Sequence, residues 1–143
     1  MKYILPLLVI FTSVIGSLAN IYINSDDWYS GLIKSPLNPP SYIFGIVWPI
    51  LYAIMAFVSF KVAEKISTLF MMQLAFNATW SWLFFYFHAP VLAFLDISIL
   101  ILLNVEIVRI LRRETTAVFY LYLPYSNWLL FAAFLNASII FLN

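Results

Sequence analysis

Residues 67–113 read STLFMMQLAFNATWSWLFFYFHAPVLAFLDISILILLNVEIVRILRR. Two long apolar stretches, 67–87 and 90–111, are parted only by His88 and Ala89, and the second stops at Arg112 and Arg113. Each has about the twenty residues an α-helix needs to cross hydrocarbon. Pro90 suits a first helical position, where a missing N–H is no loss. Membrane strands would instead alternate apolar and polar side chains over segments of about ten residues, and here both faces are apolar. A helix pairs its own backbone groups inside lipid, which an isolated strand cannot do. This passage therefore predicts two antiparallel transmembrane helices joined by a tight link.

Three further apolar segments flank it, at residues 3–23, 41–60 and 116–142. The expected fold class is thus an all-α membrane protein, a bundle of five transmembrane helices. Of the 143 residues, 65% are hydrophobic and 9% charged, which a soluble domain could not carry without aggregating. Five spans would use about 100 residues and leave about 40 for connections, so a single transmembrane domain over 1–143 is expected. The N-terminus also imitates a secretory signal, with Lys2 before an apolar run and Ser17-Leu18-Ala19 like a cleavage site. The apolar stretch over 3–23 is long enough to span, which favours a first helix.

The connections are unequal. Residues 24–40 form the one long loop, with Pro36, Pro39 and Pro40 beside Trp28 and Tyr29. Prolines fix φ, so an ordered but irregular loop is expected there. With five spans, Lys2, Lys61, Lys65, Arg109, Arg112 and Arg113 share one side, against Lys34 on the other. Six against one predicts a cytoplasmic N-terminus, with the C-terminus and the long loop on the opposite side.

Several chemistries are excluded. There is no cysteine, hence no disulfide, thiolate nucleophile or Cys-held zinc. His88 is the sole histidine, so no His-based metal site can assemble, and in its short link it is expected to be solvated. A net charge of +1 without a basic run gives nothing to hold nucleic acid. No phosphate-binding glycine loop is present, and no cofactor is expected.

What remains is aromatic. Phe44, Trp48 and Tyr52 fall at i, i+4, i+8; Asn77, Trp80 and Phe84 at i, i+3, i+7; Trp128, Ala132, Leu135 and Asn136 at i, i+4, i+7, i+8. Each set shares one helix face. Together they suit a flat, mostly apolar pocket with a few hydrogen-bonding groups, or equally plain helix packing, in which asparagines act as glue. Of the acids in 90–111, Asp96 is expected within reach of the interface, and Glu106 to pair with Arg109 at i+3. Pro124 is expected to kink its helix, with Tyr125 or a water satisfying the freed backbone.

The segment WYSGLIKSPLNPPSYIFGIVWPILYAIMAF resembles the translocator protein family (TspO/MBR, the peripheral-type benzodiazepine receptors). The residues that carry it include Trp28, Tyr29, Lys34, Pro39, Pro40, Phe44, Gly45, Trp48 and Tyr52. A second block, QLAFNATWSWLFF, matches at Gln73, Asn77, Trp80, Phe84 and Phe85; a third, LPYSNWLLFAAFLN, at Pro124, Tyr125, Trp128, Ala132 and Asn136. The resemblance implies five helices, a homodimer, and a cavity under the first loop that takes porphyrins such as protoporphyrin IX and similar planar hydrophobic ligands. It implies that Tyr29, Trp48, Asn77, Trp80, Trp128 and Ala132 line that cavity, with Phe84 on the same stripe and Trp28 in the lid. It implies a receptor or carrier, or alternatively a light-dependent porphyrin-degrading enzyme using Trp48 and Trp128, or a ligand-responsive scaffold. After Asn136 the chain reads ASIIFLN, without the Tyr and following Lys or Arg of a cholesterol motif, so sterol recognition of the animal kind is not expected.

Overall fold

The computed structural model describes residues 1–21 and 27–143. The described residues are helical apart from turns and extended links. Helix α1 is Ile4–Asn20, α2 is Ser41–Ser81, α3 is Pro90–Glu114 and α4 is Thr116–Leu142. A five-residue π-helical turn, Trp82–Tyr86, continues α2. Three helical stretches, Ser41–Tyr86, Pro90–Glu114 and Thr116–Leu142, are long and apolar enough to cross a membrane, and α1 is a shorter apolar helix. The expectation for residues 22–23 of the first segment, and for 24–26 of the loop, lies outside the described residues. Residues 27–40 run as turns and extended backbone.

Where a break between 60 and 67 was expected, helix α2 instead continues, interrupted only at Val62 (φ −128°, ψ 26°). The chain nevertheless reverses there. Tyr52 and Asn77 would stand about 38 Å apart along a straight helix, yet the Tyr52 hydroxyl donates to Asn77 Oδ1 at 2.8 Å. Gln73 Nε2 likewise reaches Met55 Sδ at 3.7 Å. The two limbs of α2 therefore lie against each other. No proline or glycine marks this bend; Lys61, Glu64 and Lys65 do, by favouring the bundle's end over its interior.

The other links are tight. Pro90 occupies the first turn of α3. A single extended residue, Thr115, separates α3 from α4, and its hydroxyl caps α4 by accepting from the Val118 N–H at 3.2 Å. Pro124 lies inside α4, which runs without interruption from Thr116 to Leu142. Tyr125 does not serve the backbone that Pro124 frees; its hydroxyl donates to Gln73 Oε1 at 2.6 Å.

The core is mostly apolar, and five of its buried polar side chains join in one connected cluster. Asn77 Nδ2 donates to the Tyr125 hydroxyl at 2.9 Å, Asn104 Nδ2 donates to Gln73 Oε1 at 3.4 Å, and the Tyr122 hydroxyl donates to Asn104 Oδ1. With Tyr52 these six side chains join both limbs of α2 to α3 and α4. Gln73, Asn77, Asn104, Tyr122 and Tyr125 are all buried. Gln73 sits at the branch, so Gln73→Leu leaves Tyr125 without its acceptor and Asn104 Nδ2 with only the Leu100 carbonyl. Hydrogen bonds between membrane helices are each worth about 0.6–1.7 kcal/mol. Gln73→Leu is expected to cost about 1–2 kcal/mol on that scale, read as a lower unfolding midpoint in detergent; an unchanged midpoint would show that the cluster does not hold the bundle.

Candidate functional site

A cavity opens where the two limbs of α2, the π turn, α4 and α1 converge under residues 27–40. It encloses about 120 Å³, below the roughly 300–1,000 Å³ of drug-sized pockets, and widens into open space at its mouth. The aromatic wall is built from Phe44, Trp48 and Tyr52 on the first limb and Trp80, Phe84 and Phe85 beyond Val62, with Trp128 from α4. The π turn is what brings both Phe84 and Phe85 to this wall, since its wider winding changes the direction of successive side chains. The rings hold one another in edge, tilted and stacked contacts. Phe44 meets Trp128 at 5.9 Å, Trp48 meets Tyr52 at 5.6 Å and Trp80 stacks on Phe84 at 5.4 Å.

Polar groups orient this wall. Trp80 Nε1 donates to Asn136 Oδ1 at 3.0 Å, while Asn136 Nδ2 donates to the Pro90 carbonyl at 2.9 Å. One carboxamide thereby fixes an indole of the wall to the start of α3. Tyr52 is held from below by Asn77. On the remaining side, α1 presents Gly16, Ser17 and Asn20. A Cβ on Gly16 would lie 3.5 Å from the Tyr52 hydroxyl, ordinary contact, so the small residue here leaves space rather than relieving a clash.

Above lies the lid. Tyr29 lines the cavity and packs edge to face on Phe84 and Phe85. Lys34 Nζ donates to the carbonyls of Tyr29 at 2.7 Å and Leu32 at 3.2 Å, and lies 4.5 Å from the Tyr29 ring centre. Burial pulls the Lys34 ammonium below the ordinary lysine range. Burial also raises the Tyr29 phenol, and a hydrogen bond with Asn38 partly offsets this. Trp28 stacks on His88 at 4.3 Å, nearly parallel. Beyond them, Asn143 clasps Ile33 from both sides: the Ile33 N–H donates to Oδ1 at 3.0 Å and Nδ2 donates to the Ile33 carbonyl at 2.9 Å.

Of the residues singled out from sequence, Tyr29, Trp48, Trp80, Phe84, Trp128 and Ala132 come together around the cavity. Asn77 and Trp28 do not line it: the first holds Tyr52 beneath the floor, and the second lies in the lid against Phe84 and His88. His88 is not the solvated link residue expected. It is half-buried with φ 51°, because the short turn into α3 needs a left-handed residue and Trp28 covers the ring. Asp96 is buried, on the inward stripe of α3 with Ala93, Ile97 and Leu100. Glu106 and Arg109 form the expected ion pair, at 2.6 Å and well exposed. The contribution of α1 was missed, although Ser13, Gly16, Ser17 and Asn20 repeat at i, i+3, i+4, i+7 and mark a small, polar face.

The chain matches the TspO/MBR family over residues 4–142. It belongs to that family. It is 35% identical over 124 residues to the "Tryptophan-rich protein TspO" of Archaeoglobus fulgidus, covering 81% of this chain and 80% of that protein. It is 28% identical over 123 residues to the "Tryptophan-rich sensory protein" of Cereibacter sphaeroides, covering 82% and 78%. To the "Translocator protein" of sheep, Ovis aries, it is 30% identical over 133 residues, covering 85% and 79%. Family membership and the long apolar helices make this an integral membrane protein.

In this family member the lid rests on neutral contacts that a single substitution can release. Asn143→Ala removes both bonds to Ile33. Amide exchange over residues 31–36 is expected to accelerate about 3- to 30-fold, as two partly exposed hydrogen bonds of about 0.3–1 kcal/mol each would give. Unchanged exchange there would show that the clasp does not restrain the lid.

Proposed function

We propose that this protein is a membrane receptor or carrier that takes planar, hydrophobic ligands of the porphyrin kind into the cavity. The observation that carries the reading is the convergence of Trp48, Trp80, Phe84 and Trp128, from three helical segments, on one space roofed by Tyr29. Flat aromatic walls favour flat ligands, because ring faces bury much area at little conformational cost.

The chain crosses the membrane five times, the two limbs of α2 counting separately, with its N-terminus in the cytoplasm. Lys2 Nζ lies 4.5 Å from the Phe60 ring centre, which puts the N-terminus beside the α2 reversal and its Lys61 and Lys65. The clasp of Asn143 on Ile33 puts the C-terminus with the lid at the other end. Charge asymmetry then sets the orientation. The functional unit is a homodimer within the bilayer. Ala75 and Thr79, one turn apart and both exposed, give helices room to approach closely on the outer face.

Protoporphyrin IX added to purified protein is expected to quench tryptophan fluorescence saturably. Trp128→Phe, which keeps a ring but loses area, is expected to weaken binding about 2- to 10-fold, the range of a single aromatic contact. Ala132→Phe, which fills the cavity, is expected to remove it. Saturable binding unaffected by both substitutions would place the ligand elsewhere. For topology, a reporter active only in the cytoplasm is expected to be active fused before Met1 and silent after Asn143; the reverse pattern would overturn the orientation.

A further inference from the structure

At the end of the bundle opposite the lid, two lysines stand over aromatic rings on the outer surface. Lys2, just before α1, places its Nζ 4.5 Å from the Phe60 ring centre and 5.9 Å from that of Tyr3. Lys61, where the first limb of α2 ends, places its Nζ 5.5 Å from the Phe57 ring centre. Neither ammonium forms a hydrogen bond or an ion pair among the described residues. An ammonium has three N–H donors, so each cation is positioned by a ring while its donors stay free for a group outside the chain. Lys34 is the contrast: its Nζ also lies over a ring, but it donates to the Tyr29 and Leu32 carbonyls.

The rings beneath these cations form a surface open to lipid. Tyr3 and Phe60 meet at 5.9 Å between ring centres, and Phe57 precedes Phe60 by one turn on the same helix face. Tyr3 is 71% exposed and Phe57 48%. Farther from this end, α1 extends the surface with Leu7 and the first limb of α2 with Ile50, both exposed. Cations, then rings, then aliphatic side chains follow the order of a phospholipid: phosphate, glycerol esters, acyl chain. Lys65, one turn past Lys61, adds positive charge, and Glu64, the acid between them, forms no ion pair among the described residues. The last turns of α3, at the same end, are built differently. Arg109 is paired with Glu106, Arg112 and Arg113 are followed by Glu114, and none of these arginines stands over a ring among the described residues.

We propose that Lys2 and Lys61 form a binding site for an anionic phospholipid, with its headgroup phosphate on the two ammonium groups and an acyl chain along Tyr3, Phe57 and Phe60. A zwitterionic lipid offers the same phosphate but brings its own cation, which two lysines repel. Ammonium groups already held by rings lose less freedom when the phosphate arrives than free lysines would. Each basic side chain near an anionic headgroup is worth about fivefold in binding.

The test uses the purified full chain in a neutral detergent with equimolar phosphatidylglycerol and phosphatidylcholine of identical acyl chains. Lipid retained on the intact protein is counted by native mass spectrometry. Phosphatidylglycerol is expected to be retained about tenfold more often, and Lys2→Gln combined with Lys61→Gln to bring that ratio below about threefold. Arg112→Gln combined with Arg113→Gln removes the same charge from the same end and is expected to leave the ratio unchanged. Glycerol phosphate at the lipid's concentration is expected to displace none of it. Equal retention of the two lipids, or an unaltered ratio in the lysine pair, would overturn the site. An arginine pair that lowers the ratio as far as the lysine pair would also overturn it, because retention would then follow net charge. Displacement by glycerol phosphate would remove the lipid as occupant, since the cations would then be reading a free phosphate.

Discussion

Inside hydrocarbon a polar side chain must find its partner within the protein, and this bundle concentrates that demand in one cluster. Tyr52, Asn77, Tyr125, Gln73, Asn104 and Tyr122 form a continuous chain of hydrogen bonds from the cavity floor toward the end of the bundle where α2 reverses. Each bond is modest, since a helix displaced within the membrane can find other partners. Their joint effect is register. Gln73 Oε1 can accept from both Tyr125 and Asn104 only when the second limb of α2, α3 and α4 stand at one relative height. With those three fixed, the Asn77 carboxamide reaches Tyr52 and sets the first limb as well.

The cavity is the counterpart of that cluster. Below it, tyrosines, amides and leucines fill the space between helices. Above it, the same helices carry tryptophan and phenylalanine, which brace one another by edge and stacked contacts and hold the walls apart. On the side where α1 approaches, Gly16 and Ser17 are too small to fill the gap. A wall of rigid rings opposite a wall of small residues leaves an opening that rotamer changes cannot readily close.

Much of this was legible before any coordinates. Apolar segment length gave the helical membrane class, and the stretch from Pro90, the link at His88 and Ala89 and the last helix fell where hydrophobicity placed them. The aromatic stripes were visible as i, i+4 spacing on the segments that build the cavity wall. The misses share a cause: they depend on contacts between distant segments, which local pattern does not encode. The reversal between residues 60 and 67 was legible from Lys61, Glu64 and Lys65; that helical backbone carries on through it, broken only at Val62, was not. His88 reads as a loop residue until Trp28, sixty positions earlier, covers it. Asp96 lies six residues into α3, and its burial follows from the packing of α3 against its neighbours, which its position in the sequence does not encode. Tyr125, beside Pro124, answers to Gln73 of α2 rather than to its own helix backbone.

The lid follows a different logic from the floor. It is fastened by contacts that are each weak: the two Asn143–Ile33 bonds, the stack of Trp28 on His88, and the edge contacts of Tyr29. Partly exposed hydrogen bonds and aromatic contacts of this kind sum to about 2–4 kcal/mol. A lid held that firmly is open in roughly one molecule in thirty to one in a thousand, within the range of minor states that ligands exploit. Tyr29 belongs to both systems, since it fastens the lid and roofs the cavity. A ligand that packs against Tyr29 from below therefore adds its contact energy to the closed state alone, and occupancy and closure reinforce each other through that one side chain.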